Sequence, residues 1–547
     1  MKILKILGLY ALIFFATGIS ADLNAQSNCY VIVPLSQNVI DGSAIPPGSI
    51  ICVEAGNRDY LLIRNMTGNL GSPIIIKNFN GAVVIQTTHY YGIKLSNCSN
   101  VVLSGSGVAG IHYGFNITGV SNGVGITIDD LSTHTEVNHV KISNTKFSGI
   151  IAKTDPSCTN FSATREKFTM YDLKINNCYL HDIGDEGFYI GSSKYTGQYL
   201  PSCDTTVLPH LIEGVYIHDN IIERTGWDGL QISSSSKNCF VHNNRISFDS
   251  QRETQDQMSG IIIGGGSQCD CYNNIVLDGK GDGIDYFGSG NQKIYNNLIV
   301  RPGKSFQPAN PNLMKHGIYI GNAVDQMITS LQLVHNTIVA PKSTGIRFVN
   351  AGSMQNKIYN NIITEPGSFG TMGESAYFLH NLASSQYEFS HNLLNNSIEV
   401  NQFINYQSDN YELKPGSPAV NAAKPGIIVF DLNNNPRPHN LLPDIGAFES
   451  QDPFASTEEL GTNKIDINAF PNPSSGIVYL ILPDGKAQKF QFHLTDVNGL
   501  MLLNGQLMTE SENKYQKLDL SALKPGIYFL KLFDNVTYST HKIILTH

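Results

Sequence analysis

In three segments that echo one another, an acidic residue stands directly before a glycine: Glu186 in "GDEGFYIG" (184–191), Asp228 in "GWDGLQIS" (226–233) and Asp282 in "GDGIDYFG" (281–288). His316 holds the same place in "HGIYIGN" (316–322), while Asp185, Trp227 and Lys315 come one residue earlier in their own segments. Two carboxyl groups about 5–5.5 Å apart can cleave a glycosidic bond with retention, and two about 6.5–9.5 Å apart with inversion. Glu186 with Asp228 is a candidate for the first spacing and Asp228 with Asp282 for the second. Elimination beside a uronate is the other chemistry these residues allow, since it needs a base and a neutralised carboxylate. Ca²⁺ on Asp185, Glu186 and Asp228 could supply the neutralisation, and Lys315, His316, Tyr319 or Arg347 the base or a cation. Asp before Gly also caps its own turn, so a structural role for Asp228 and Asp282 stands beside the catalytic one.

The phrase that carries these residues recurs along the chain. Gly92, Gly114, Gly149, Gly187, Gly229, Gly260, Gly283, Gly317 and Gly345 are each followed by an apolar, variable, apolar triplet, the period-two mark of a strand with one buried face. The middle residues then form an outward column: Lys94, Asn116, Ile151, Tyr189, Gln231, Ile262, Asp285, Tyr319 and Arg347. Strand neighbours repeat at about 4.8 Å, close enough for adjacent side chains to share one sugar ring. Tyr189, Trp227, Gln231, Asp285, Tyr319 and Arg347 are therefore expected to bind substrate beside the catalytic candidates Glu186, Asp228, Asp282, Lys315 and His316.

A second phrase alternates with the first: "INNCYL" (175–180), "HDNIIE" (218–223), "HNNRIS" (242–247), "YNNIVL" (272–277), "YNNLIV" (295–300), "HNTIVA" (335–340), "YNNIIT" (359–364) and "HNLLNN" (391–396). It places Asn176, Asp219, Asn243, Asn273, Asn296, Asn336, Asn360 and Asn392 in one column, where amides could bond from coil to coil. His218, His242, His335 and His391 alternate with Tyr in a neighbouring column, which reads as stacking rather than metal binding. Insertions at 153–168 and 192–210 follow the Gly149 and Gly187 strands, and those at 249–257 and 302–315 precede the Gly260 and Gly317 strands. They would wall both edges of one strand face, making a groove open at its ends.

Composition narrows the field further. The chain has 547 residues, only 15% of them charged, with 50 glycines and a formal charge of -9. No basic run is present to neutralise phosphates, which argues against nucleic acid. The first residues, "MKILKILGLYALIFFATGISADLNAQ", have secretory signal architecture ending near Ala25. Nine cysteines cannot all pair within one chain, and "CDC" (269–271) lacks zinc spacing.

The two alternating phrases resemble the right-handed parallel β-helix of the pectate-lyase-like superfamily over roughly residues 30 to 450. "LKPGSPAVNAA" (413–423), "DLNNNPRP" (431–438) and "DIGAFES" (444–450) are similar to the segment that closes secreted bacterial β-helices. "FPNPSSG" (470–476), "LTDVNG" (494–499), "LDLSALKPGIYFLKL" (518–532) and "HKIILTH" (541–547) resemble the type IX secretion sorting domain of Bacteroidetes.

The resemblances imply an all-β chain: signal peptide 1–25, β-helix 26–450 with its cap at about 411–450, linker 451–464 and sorting β-sandwich 465–547. They also imply export to the medium or the outer-membrane surface, with the secretion machinery as one partner and an extended polysaccharide as the other. A monomer is expected, and Ca²⁺ is the one cofactor the acids would suit. Cys158 and Cys203, in the first two insertions, are the expected disulfide, and Cys239 and Cys269 are expected to stack as small buried side chains. The chain reads as a polysaccharide lyase or glycoside hydrolase, the rival being a non-catalytic surface adhesin or carbohydrate-binding β-helix whose face would carry aromatics without converging acids and bases.

Overall fold

The structure is a computed structural model that describes residues 28–308, 313–323, 329–367, 376–426, 428–451, 468–481, 489–496, 501–508, 515–533 and 538–546. The signal segment and nearly all of the linker lie outside them. The chain divides into two compact units, Met1–Asp452 and Pro453–His547.

The first unit is a right-handed parallel β-helix of three sheets. One coil shows the plan: Phe188–Ile190 lies in the glycine sheet, Leu211–His218 in a second sheet and Ile221–Thr225 in a third, before Leu230–Ile232 returns to the glycine sheet. Each strand pairs in parallel with its counterpart one coil on, as Phe188, Tyr189 and Ile190 do with Leu230, Gln231 and Ile232. The alternate side chains, such as Phe188, Ile190, Val215, Ile217 and Ile222, point into one continuous dry core. Full burial of an aliphatic side chain is worth about 1.5–3 kcal/mol, so every coil adds to the same apolar column.

The constant glycine has a steric cause. A Cβ on Gly187 would lie 2.3 Å from the carbonyl oxygen of Gly229 and 2.7 Å from Cγ2 of Ile222. The same clash with the next coil recurs from Gly92 to Gly345. One member of the expected series is misplaced. Gly114 leads into Phe115–Val120 of the third sheet, where Asn116 pairs with Lys141 and Val84. Gly125 takes the position instead, and Thr127 fills the outward column between Lys94 and Ile151.

The amide ladder exists: Asn336 and Asn392 stand in it as expected, and in the coils between 218 and 300 and at 359–361 it is shifted by one residue. Asn220, Asn244, Asn274, Asn297, Asn336, Asn361 and Asn392 hydrogen-bond in sequence through their side chains, at 2.9–3.1 Å per step. Asp219, Asn243, Asn273, Asn296 and Asn360 instead take the left-handed conformation, with φ between 52° and 59°, and make the turn that precedes the ladder residue. That conformation favours Asn and Asp. His335 and His391 occupy the same turn position, so they leave the ring column. The rings that stack are His218, His242, Tyr272 and Tyr295, with centroids 4.7–4.9 Å apart.

The expected cap segment runs along a flank and also touches the last coil, where Leu393 packs against it and Lys424 pairs with Glu388. Ile398, Phe403, Tyr411, Leu413, Ala419, Ala423, Ile445, Ala447 and Phe448 bury the outward side chains Leu277, Leu298, Val300, Val339 and Ile362 of the third sheet. Those strands are apolar on both faces and therefore demand a cover. A buried Arg437–Glu449 pair at 3.0 Å, with Asp431 and Asp444 accepting backbone N–H groups, ties the segment together. Cys29–Cys52, Cys158–Cys203 and Cys239–Cys269 are disulfides, and Cys98, Cys178 and Cys271 are buried thiols. Cys239 and Cys269 do face each other across adjacent coils, but their register brings the Cα atoms to 4.4 Å, so they are bonded rather than merely stacked.

The second unit holds a three-stranded and a four-stranded antiparallel sheet, with Val478, Leu480, Phe490, Leu494, Leu518, Leu530, Leu532 and Ile543 forming its core.

Candidate functional site

The glycine sheet supplies a floor whose outward column is set by register: Thr127, Ile151, Tyr189, Gln231, Ile262, Asp285, Tyr319 and Arg347 follow one another coil by coil. On one edge, the insertions at 153–168 and 192–210 are fastened by Cys158–Cys203, with Cα atoms 5.8 Å apart. Arg165 lies 4.2 Å from the Tyr195 ring centroid and donates to the Tyr195 carbonyl. On the opposite edge, 249–257 folds onto the turn before Asp228, with Ser250 N–H donating to the Trp227 carbonyl at 2.9 Å.

Between these walls lies a strip of acids. Ser259 joins two of them: its N–H donates to Asp228 Oδ1 at 2.7 Å and its hydroxyl to Asp285 Oδ2 at 2.6 Å. Asp228 Oδ2 and Asp285 Oδ1 are buried without a hydrogen-bond partner among the described residues. Burial, reinforced by Glu186 and Asp285 around the first and by Asp282 beside the second, pushes both carboxyls well above the usual range. Asp282 has a contrasting environment. Lys315 Nζ donates to its Oδ2 at 2.8 Å, and the His316 N–H donates to Oδ1. Glu186 accepts the Ser148 hydroxyl at 2.7 Å, and burial raises it too.

The expected site residues separate into groups. Glu186, Asp228, Asp282, Asp285, Lys315 and His316 fall together in this strip. Asp228 is 0% exposed and so lies beneath the surface, whereas Asp285 keeps 8%. Burial lowers the Lys315 pKa, but Asp282 and Asp285 outweigh that and hold it above the ordinary lysine value, which suits a cation better than a base. Burial lowers His316 to about 4, which favours its neutral form. Its ring stacks on Tyr319 with centroids 5.7 Å apart.

The proposed Ca²⁺ set does not assemble. Asp185 is ion-paired with Arg252 at 2.7 Å and points toward the 249–257 wall, and among the described residues no three His, Cys, Asp or Glu side chains converge as metal ligands. Tyr189 is half-buried, with Lys153 Nζ 4.4 Å from its ring centroid. Trp227 and Arg347 are half-buried, and Gln231 is buried.

Several members of the site were not anticipated. Ser259 has no signal beyond its place before Gly260. Arg252 and Asp249 belong to an insertion whose internal fold no periodicity dictates. Phe287, whose ring centroid is 5.8 Å from that of Tyr319, follows the Asp285 strand directly.

The fold and strip define a right-handed parallel β-helix with a walled acidic face. Residues 124–394 match the family described as right-handed β-helix region, and residues 468–546 the secretion system C-terminal sorting domain. The chain is thus an exported β-helix protein carrying a type IX sorting domain, destined for the cell surface or the medium. No curated protein sequence matches it. Among solved structures it is similar to the GH136 lacto-N-biosidase from Eubacterium ramulus, at 13% identity over 67% of this chain and 68% of that one, with a TM-score of 0.42. It is also similar to pectate lyase Pel9A, at 14% identity over 77% and 96% with a TM-score of 0.34, and to a GH87 alpha-1,3-glucanase from Streptomyces thermodiastaticus, at 10% over 64% and 65% with a TM-score of 0.30.

Proposed function

We propose that the protein binds an extended polysaccharide along the glycine sheet and hydrolyses it, with Asp285 as the protonated acid and Asp282, paired with Lys315, as its partner. One observation carries this reading: two buried carboxyls on a single strand have different partners, one accepting a serine hydroxyl and the other ion-paired to Lys315. Environments that separate two carboxyl groups in this way assign acid and base. Asp285 would protonate the leaving glycosidic oxygen. Asp282 would activate water or attack the anomeric carbon, depending on the separation the bound sugar imposes. Tyr189, Trp227, Phe287 and Tyr319 would stack on sugar rings to either side. Elimination has weaker support, since Lys315 Nζ is already bound to Asp282 and the His316 ring is buried against Tyr319.

The test is a screen of the mature protein against neutral and acidic glycans, reading reducing ends and the ultraviolet absorbance of unsaturated uronates in parallel. Reducing ends without that absorbance are expected. Absorbance would replace hydrolysis by elimination, and binding without new ends would leave a carbohydrate-binding protein.

A further inference from the structure

Asp249 lies beneath the strip and is used by none of the steps above. It is 1% exposed, yet its Oδ2 has no hydrogen-bond partner among the described residues. Its Oδ1 accepts the Ser250 hydroxyl at 2.7 Å, and its carboxylate also accepts the backbone N–H of Gly281. Its own carbonyl accepts the Lys280 N–H at 3.1 Å. Gly279 is pressed against the same carboxyl: a Cβ there would lie 1.9 Å from Oδ2. Asp249 therefore grips residues 279–281 at three points, and those residues lead directly into Asp282–Tyr286, the strand that bears Asp282 and Asp285. From the other side it starts the 249–257 wall, whose Arg252 reaches Asp185.

We propose that Asp249 is a positioning residue that fixes the Asp282–Asp285 strand from below and couples it to the 249–257 wall. This rests on the hydrolytic reading only for its effect on rate. The charged groups facing Asp249 are Asp228 and Asp285 from the floor and Lys315 from the wall before the Gly317 strand. Burial raises Asp249 to about 6, against the opposing bonds from Ser250 and Gly281.

Two variants and two readouts separate the possibilities. Asp249→Asn keeps an acceptor for Gly281 and removes the charge, whereas Asp249→Ala removes both. Hydrogen exchange is expected to show the Gly281 and His316 amides losing protection about tenfold or more in Asp249→Ala, with the Asn ladder unchanged, as a local opening would. On a cleaved glycan, kcat is expected to fall about tenfold in Asp249→Ala with KM nearly constant, and to recover most of that loss in Asp249→Asn. Unchanged exchange in Asp249→Ala overturns the proposal, as does an Asp249→Ala enzyme with the wild-type kcat or an Asp249→Asn enzyme no better than Asp249→Ala. If the wild-type protein cleaves nothing, the hydrolytic reading fails, and the exchange experiment still decides whether Asp249 holds the strand.

Discussion

Ser259 stands between Asp228 and Asp285, giving its backbone N–H to one carboxyl and its hydroxyl to the other. Ser259→Ala cuts only the second bond. A hydrogen bond to a carboxylate favours the charged form, so its loss raises Asp285 further. If Asp285 is the acid, the alkaline limb of kcat/KM shifts upward by about one pH unit, with a rate loss of about tenfold or less at the optimum. A profile that scales down without shifting would remove Asp285 from that role.

Asp285→Asn and Asp282→Asn are each expected to lower kcat by about 10²- to 10⁴-fold. Their effects on stability should differ from their effects on rate. The Asp285 pKa is higher folded than unfolded, because burial comes first among its causes and Asp282 adds to it. The folded state then holds a proton that the unfolded state has released, so stability is greatest at low pH and is lost as pH rises above the unfolded carboxyl value of about 4. Asp285→Asn removes that loss. The variant should melt at a higher temperature than the parent at pH 8 and lose this advantage toward pH 4. Calorimetry across that range checks it, and a variant less stable at pH 8 would contradict the assigned direction.

The parts of the fold that were legible are those that repeat. The Gly187 phrase has a steric cause renewed at every coil, so the series could be read from type and spacing alone. Errors came where two phases of a repeat look alike. In "YNN" either Asn could form the ladder, and only the left-handed turn at Asn273 decides for Asn274. "YGFNIT" carries the glycine phrase by composition, yet its strand pairs in another sheet. Within the site, the residues before each glycine were visible because the sheet fixes them. Asp249 and Arg252 were not, because an insertion has no period, and its carboxyls and guanidinium find their partners only after it folds back across two coils.

The ladder assignment can be tested directly. Asn274 donates to Val241 O and Asn297 Oδ1 and accepts from the Asn244 side chain and backbone, all buried. Asn274→Ala strands several of these groups at about 1–3 kcal/mol each, so a large fall in melting temperature or failure to fold is expected. Asn273→Gly keeps the φ of 52° accessible and should cost about 1 kcal/mol or less. Comparable losses in the two variants would place Asn273 in the ladder after all.

The Cys158–Cys203 bond joins two insertions rather than two coils, and its removal should separate binding from chemistry. The apolar column and the amide ladder do not pass through either insertion, so Cys158→Ser with Cys203→Ser leaves the β-helix folded. A native disulfide typically contributes about 2–4 kcal/mol by restricting the open chain, and here that constraint acts on a wall 45 residues apart in sequence. Proteolysis should therefore move to 192–210 while global melting changes by only a few degrees. The strip itself keeps its bonds from Ser148, Ser259 and Lys315, none of which lies in these insertions. KM should rise several-fold with kcat nearly unchanged, the pattern expected when an interaction common to substrate and transition state is lost. A fall in kcat at constant KM would mean that this wall holds the reacting groups, and would move the centre of the site toward Tyr189 and Lys153.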